Sequence, residues 1–334
     1  MKVGIVGLGY WGPNLLRNFL ANQSVDEVIG CDIKESRLKS ISLRFPEVKL
    51  TNSYEDLLDK YKVDIICIAL PVGLHYEFSK KALMKGKHIW VEKPFTASSK
   101  EAEDLITLAE KNNLKIFVDH TYIYTAAVRK IKEIIDNNEL GDILYYDSVR
   151  VNLGLFQNDV NVIWDLAAHD LSIMDYLISD KKIVAVCANG IANYYKHENL
   201  AHISIYFNNN CFAHFHVNWT SPVKIRKVLI GGSKKMLVFD DLESSEKIKI
   251  YDSSINLTTK EDIYEALIQY RIGDMYSPRV DQYEALSLGV NEFINSIKED
   301  RKPLTSGVEG LNVVKILEAA DKSIKNKGKL IQIN

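Results

Sequence analysis

Three places in the chain combine residue types and spacings that could do chemistry. The first is Lys2-Val3-Gly4-Ile5-Val6-Gly7-Leu8-Gly9-Tyr10-Trp11-Gly12-Pro13-Asn14. Gly7, Gly9 and Gly12 stand at the spacing G-x-G-x-x-G, after an apolar run and before a helical pattern from Asn14 to Leu20. In that setting the first glycine permits a tight turn, the second lets a pyrophosphate approach the backbone, and the third lets helix and strand pack closely. Free N–H groups and the positive dipole end at the helix start hold phosphates. Glycines cluster in many turns, so the context carries the reading. The second place is Glu92-Lys93-Pro94, directly after an apolar run at residues 88–91. An ammonium at such a strand end can bind a hydroxyl and favour its alkoxide-like transition state. The third is Trp164-Asp165-Leu166-Ala167-Ala168-His169-Asp170. On a helix, Asp165 and His169 are i and i+4 and share a face. A carboxylate beside an imidazole orients it and stabilises its protonated form, as a general base requires. Taken alone, that spacing is also a commonplace surface pair.

The elements around these residues alternate. Residues 27–33 form a second apolar run that ends at Asp32, twenty residues past Gly12. A carboxylate there accepts hydrogen bonds from the adenosine ribose hydroxyls and repels a 2′-phosphate, so NAD is favoured over NADP. Lys34 and Arg37 temper this, since either could pair with a phosphate, and Asp32 could instead cap the following helix. Further strands are expected at residues 63–70, 88–91 and 116–120, with helices between. Alternation of this kind implies parallel βαβ units in a doubly wound sheet, with ligands beyond the carboxyl ends of the strands. Leu70, Pro71, Glu92 and Lys93 lie on that edge, and His75 could line the same pocket.

The second half reads differently. Residues 142–151 alternate poorly and predict a strand buried on both faces. Short strands follow at 183–188, 202–207, 211–218, 227–230 and 236–239, an antiparallel sheet, and two helices come after Tyr283. The strand count, together with the family resemblance given below, puts the domain boundary near residue 122. The expected fold is therefore α/β: a Rossmann domain over 1–121, then an α+β domain over 122–334 with a large, mainly antiparallel open sheet. His214 and His216 stand two apart on a strand, but no third ligand pattern accompanies them, so no metal is expected.

Composition narrows the function classes. At 334 residues, with 46% hydrophobic and 26% charged residues, the chain describes an ordinary globular protein of two domains. A formal net charge of −2 offers no basic field for nucleic acid. No apolar run reaches a membrane span, and the N-terminal stretch reads as a core strand rather than a cleavable signal. Cys31, Cys67, Cys187 and Cys211 form no C-x-x-C pair and suit free thiols in a reducing cytoplasm.

The motifs Gly7-x-Gly9-x-x-Gly12, Ala69-Leu70-Pro71 with His75, Gly86-Lys87-His88 and Glu92-Lys93-Pro94 resemble the glucose–fructose oxidoreductase / inositol dehydrogenase (Gfo/Idh/MocA) family. The likeness continues through Ala126-Ala127-Val128-Arg129-Lys130 and Leu317-Glu318-Ala319-Ala320. It implies an NAD(P)-dependent dehydrogenase in which Lys93 is catalytic and Asp165 and His169 match the family's aspartate and histidine four apart. The glycine usual between those two is Ala167 here, which narrows the room for substrate. The implied cofactor contacts are Gly7, Gly9, Tyr10, Trp11, Gly12, Asp32, Leu70, Pro71, His75 and Glu92. The stretch from Arg150 to Asn158 leads into the catalytic helix and should border the substrate. Tyr122, Tyr124, Arg150, Asn152 and Trp164 are the candidate substrate contacts, and Asp170 and Asp175 are expected to face solvent or cap. Arg150, Lys224 and Arg226 could neutralise a diphosphate. The run from Asn152 through Trp164 to Asp170 also resembles relatives that oxidise or reduce nucleotide-linked sugars. That resemblance together with those cations makes a nucleotide-linked sugar acted on at C3 the expected substrate, with a free sugar or inositol as the alternative. A non-catalytic sensor of the NAD⁺/NADH ratio is the rival class, though it would need neither Lys93, Asp165 nor His169. The family also implies a homodimer or homotetramer through the open sheet, whose Phe212, Phe215 and Trp219 read as exposed aromatics.

Overall fold

The computed structural model describes residues 1–154, 156, 159–194, 196–256 and 269–333. The chain divides into two compact units. Met1–Tyr124 and Glu284–Lys315 make the first, and Thr125–Tyr283 with Ile316–Asn334 make the second.

The first unit begins β1 (Lys2–Val6), α1 (Gly12–Leu20), β2 (Glu27–Cys31), α2 (Glu35–Arg44), β3 (Lys49–Thr51), β4 (Ile65–Ile68), α3 (Val72–Met84), β5 (His88–Val91), α4 (Ser99–Lys111) and β6 (Ile116–Val118). Its six strands are all parallel, in the order β3-β2-β1-β4-β5-β6. Val3, Ile5, Ile65, Ile66, Ile68, Ile89, Trp90 and Val91 are fully buried. Strands that are apolar on both faces can sit only in the middle of a layered sheet, covered by helices on either side. The strand order reverses between β1 and β4, and a crevice opens outside the carboxyl ends at such a point. Gly7, Asp32, Ala69-Leu70-Pro71, Glu92-Lys93-Pro94 and Asp119-His120 all follow directly on strands at that edge.

The second unit contains α5 (Ala126–Asp136), β7 (Ile143–Leu153), a π-helical turn at Ile163–Ala167 that runs into α6 (Ala168–Leu177), β8 (Ile183–Ile191), β9 (Leu200–Phe207), β10 (Phe212–Asn218), β11 (Thr220–Gly232), β12 (Met236–Asp240), β13 (Ile248–Tyr251), β14 (Ser254–Asn256), β15 (Gln269–Arg271) and β16 (Met275–Tyr276). Among the described residues its main sheet runs β16-β13-β12-β11-β7-β10-β9-β8-β17, where β17 is Ile331–Gln332. All its pairings are antiparallel except β7 with β10.

The structure corrects the reading of β7. The strand is not buried on both faces: Tyr146, Ser148 and Arg150 are buried, while Tyr145, Asp147 and Val149 are half-exposed. One face packs beneath α6 and the other is open. Phe215 and Trp219 are likewise buried, at 0% and 1% exposure, so only Phe212 of the three expected aromatics reaches the open face. There, His202 stacks on His216, with ring centroids 4.3 Å apart.

The largest departure concerns the two late helices, α7 (Ala285–Lys298) and α8 (Gly307–Lys325). The 122–334 assignment placed them in the second domain, yet residues 284–315 belong to the first unit. Packing explains the return. Phe293 is fully buried and meets Trp90 edge-on at 5.9 Å and Phe117 at 5.3 Å. Gly289 lies so close beneath Trp90 that a Cβ there would sit 3.2 Å from the indole. Glu284 accepts from Asn18 at 3.1 Å and from Arg17 at 3.0 Å. The aromatic face of the parallel sheet needs a cover, and the later chain supplies it. Phe293→Ala is therefore expected to destabilise the first unit by about 3–5 kcal/mol. Urea denaturation followed by tryptophan fluorescence checks this, because Trp90 reports the cavity directly; an unchanged midpoint would contradict it.

Candidate active site

The glycine-rich turn is shaped by close backbone contacts. Gly7 has φ +94°, and a Cβ there would lie 2.2 Å from the Ala69 carbonyl oxygen. A Cβ on Gly12 would lie 2.0 Å from the Gly7 oxygen. Both positions therefore demand glycine for the fold itself. Gly9 differs: its nearest neighbour would be the Arg37 guanidinium at 3.6 Å, an ordinary contact. Bare backbone at Gly9 is not required by packing, and it leaves a cradle in which a pyrophosphate can lie against the chain at the start of α1. These residues fit a dinucleotide.

Asp32 is buried and firmly held. Oδ2 accepts from the Leu8 N–H at 2.8 Å and from Arg37 Nη1 at 3.0 Å, while Oδ1 accepts from the Lys34 N–H at 2.9 Å. Burial alone would raise its pKa, but the N–H groups of Lys34 and Leu8 together with Arg37 outweigh that and hold it below the usual range. Asp32 does not cap α2, whose N-cap residue is Lys34 without a side-chain bond; the Asp32 carboxylate closes a turn onto the Lys34 N–H just before the helix. Tyr10 is 93% exposed and stacks on Trp11, whose indole Nε1 donates to Asp119 Oδ2 at 3.0 Å.

Leu70 is half-buried and Pro71 exposed, where β4 gives way to α3. His75 does not present its ring to a ligand. It is 1% exposed, with Nε2 at 2.8 Å from the Leu70 carbonyl and Nδ1 at 2.9 Å from that of Pro94. Glu92 and Lys93 follow β5. Burial raises Glu92 well above the usual carboxyl range, and the Asp119 carboxylate adds to that. Asp119 and His120 are functional candidates that the sequence reading passed over. Their signal was available, since they follow β6 on the edge that holds Leu70 and Lys93. His120 is 1% exposed, and neither ring nitrogen has a hydrogen-bond partner among the described residues. Burial first, and the Lys93 charge second, depress its pKa to about 3, so the imidazole is neutral near pH 7.

Tyr122 is half-buried. Tyr124, a candidate substrate contact, is instead a core residue: it is 1% exposed, its hydroxyl pairs with Thr305 Oγ1 at 3.0 Å, and its ring stacks on Phe117. The reason is the aromatic cover described above, which the ring completes.

In the second unit, Asp165 and His169 lie on the π turn and at the start of α6, where a regular α-helix was expected. Single π turns often mark functional positions. Both residues are half-exposed, and Asp165 Oδ2 accepts the Trp219 indole N–H at 3.0 Å. Trp164 is 8% exposed, and its Nε1 donates to Asp321 Oδ2 at 2.8 Å, so the indole braces the turn from within. Asn152 is half-exposed beside Gly154. Leu155, Gln157 and Asn158 of the expected substrate stretch lie outside the described residues. Arg150 is not a diphosphate cation: at 3% exposure it makes a bidentate pair with Asp170, Nε to Oδ2 at 2.7 Å and Nη2 to Oδ1 at 2.8 Å. Asp170, expected to face solvent or cap, is buried by that pair. Arg226 pairs with Asp241 at 3.3 Å, and Lys224 is exposed. Among the described residues no group of histidine, cysteine, aspartate and glutamate is placed to hold a metal. None of their helices is long and apolar enough to cross a membrane.

A parallel 3-2-1-4-5-6 sheet with a glycine-cradled crevice and a lysine on its carboxyl edge defines an NAD(P)-dependent oxidoreductase. The chain belongs to the Gfo/Idh/MocA family: residues 1–120 match the oxidoreductase family's NAD-binding Rossmann fold and residues 132–332 its C-terminal alpha/beta domain. It is 25% identical to the scyllo-inositol 2-dehydrogenase (NADP⁺) of Bacillus subtilis, over 98% of this chain and 94% of that one. Among solved structures, it resembles the UDP-N-acetylglucosamine 3-dehydrogenase of Acidithiobacillus ferrooxidans (TM-score 0.81, 22% identity, 98% of both chains). It also resembles the WlbA dehydrogenase of Bordetella pertussis, solved with NADH and UDP-GlcNAcA (TM-score 0.83, 16% identity, 100% of this chain and 98% of that one).

The contrast among the glycines gives a direct test. Gly9→Ala should leave the thermal midpoint unchanged while weakening NAD⁺ binding by about tenfold or more, the equivalent of one or two lost hydrogen bonds. Calorimetric titration beside a melting curve reads both. Equal NAD⁺ affinity in the variant would remove the cradle from the argument.

Proposed function

We propose that the protein transfers a hydride between nicotinamide and a secondary alcohol or ketone of a sugar, that it uses NAD in preference to NADP, and that the sugar is a nucleotide-linked hexose acted on at C3. The observation that carries the reaction class is Lys93 on the carboxyl edge of a buried parallel sheet, beside Glu92 and the neutral His120. Hydride exchange is the chemistry that a nicotinamide supplies when bound. Lys93 binds the substrate oxygen and steadies its developing negative charge. His169 takes the hydroxyl proton in oxidation, and Asp165, fixed by Trp219, holds the imidazole and favours its charged form.

Preference for NAD follows from Asp32. Its carboxylate is held in the ionised form and already engages Arg37, so a 2′-phosphate would meet a negative charge and would have to draw Arg37 away. The nucleotide-linked substrate is supported by the two structural relatives whose ligands or names carry UDP-sugars. Of the three cations considered for a diphosphate, Lys224 is the one left exposed. The free-polyol reading draws its support from the scyllo-inositol relative.

Lys93→Ala should retain NAD⁺ binding and lose turnover by roughly 10²–10⁴-fold, the range for a charge-stabilising or proton-transferring group. Steady-state rates with any accepted substrate decide this, and near-normal turnover would reject the assignment. For the substrate, calorimetry with UDP and with dTDP in the presence of NAD⁺ is expected to show binding of one of them. No heat from either, alongside turnover of inositol or glucose, returns the protein to the free-polyol branch.

A further inference from the structure

His75 presents an unusual hydrogen-bonding problem. It lies in the first turns of α3, essentially without solvent contact. Nε2 is 2.8 Å from the carbonyl oxygen of Leu70, and Nδ1 is 2.9 Å from that of Pro94 and 3.3 Å from that of Phe95. Carbonyl oxygens only accept. A neutral imidazole carries one N–H, so either tautomer would aim a nitrogen lone pair at an oxygen lone pair across less than 3 Å. That arrangement would leave a buried acceptor unsatisfied as well as repelled. An imidazolium donates from both nitrogens and resolves the geometry.

The two carbonyls are not arbitrary. Leu70 ends the β4 edge and Pro94 directly follows Lys93. We propose that His75 is a positioning residue that works as an imidazolium clamp: it ties the Leu70-Pro71 rim to the Lys93-Pro94 rim and thereby fixes where the Lys93 side chain departs from the backbone. The polar neighbours on its own helix are engaged elsewhere, Tyr76 and Lys80 with Asp104 on α4 and Glu77 with Lys81. The titratable groups on the rim it holds are Lys93 and Glu92, the latter favoured in its protonated form. Charge-assisted bonds are shorter and stronger than neutral ones, which suits a contact that must hold two loops in register. The catalytic consequence rests on the role given to Lys93 above; the ionisation state does not.

Two measurements separate those parts. In full-length protein labelled with ¹⁵N-histidine and assigned through backbone connectivity, both ring nitrogens of His75 are expected to show protonated shifts at pH 7.5, about a unit above the ordinary imidazole pKa. An unprotonated nitrogen at that pH overturns the clamp. His75→Gln can bridge with only a single amide group. Its kcat should fall by on the order of 10–100-fold, the effect of a misplaced catalytic group, with the NAD⁺ Kd changed less than about threefold. Unchanged kcat in a variant that melts like wild type overturns the positioning role. If the His75→Gln variant does not fold, the spectrum of the wild type still decides. A wild type that turns over no sugar would defeat the proposed reaction while leaving the spectroscopic result standing.

Discussion

The carbonyl oxygen of Gly7 lies 2.0 Å from the point where a side chain at position 12 would begin, and the carbonyl oxygen of Ala69 lies 2.2 Å from the same point at position 7. The dinucleotide end of the first unit depends on those two missing carbons. Without them β1 can turn directly into α1 while keeping β4 at pairing distance, and the start of α1 arrives at the carboxyl edge of the sheet. The positive end of its dipole then faces the crevice. The same closure delivers the Leu8 N–H to Asp32 and the Trp11 indole to Asp119. A change at either glycine would therefore displace a carboxylate at each side of the crevice, as well as the turn itself.

Charge on that edge is arranged by burial as much as by residue type. Asp32 and Glu92 are both carboxyls placed directly after strands, yet they move in opposite directions. Asp32 is supplied with two backbone N–H donors and a guanidinium, and its ionised form is favoured. Glu92 is desolvated beside Asp119, and its protonated form is favoured. His120 is pushed the other way by the same two causes, desolvation and a nearby like charge. The edge thus carries a carboxylate held in its ionised form after β2, and sets Lys93 between a Glu92 that favours its protonated form and a neutral His120.

What the sequence made legible follows from range. The strand–glycine turn–helix order is local, and Gly7, Gly9, Gly12 and Asp32 could be placed from residues within one βαβ unit. Lys93 and His75 were legible as edge residues for the same reason. The role of His75 was not, because it depends on where the carbonyls of Leu70 and Pro94 come to lie. Trp11 and Asp119 are 108 residues apart, and Phe293 finds Trp90 across 203 positions, so neither pairing leaves a periodic trace. Arg150 misled because an arginine near a substrate stretch looks available until its partner is known. Asp170 is twenty residues away on a helix whose register the sequence could only approximate. The π turn was invisible for a related reason: nothing in Ile163–Ala167 distinguishes i→i+5 bonding from i→i+4 before the neighbours of that segment are in place.

Those neighbours explain how an irregular turn can hold a carboxylate and an imidazole steady. π-Helical bonding is less favourable than α-helical bonding and persists where surrounding contacts maintain it. Asn161 Oδ1 accepts the N–H groups of Ile163 and Trp164 at 3.1 and 3.2 Å, and its amide donates to Asp321 at 2.9 Å and Glu198 at 3.2 Å. The Trp164 indole closes the loop on the other oxygen of Asp321. Burial raises the Asp321 pKa, and the bonds from Asn161 and Trp164 act against that without cancelling it. At the far end of the turn, Arg150 and Asp170 form a buried bidentate pair one residue beyond His169. For such a pair, desolvation offsets most of the mutual attraction, so its contribution lies in geometry more than in net stability. An apolar contact would tolerate rotation of α6 about its axis. Two parallel N–H···O bonds to one carboxylate do not, and the direction in which His169 leaves the helix is fixed with them.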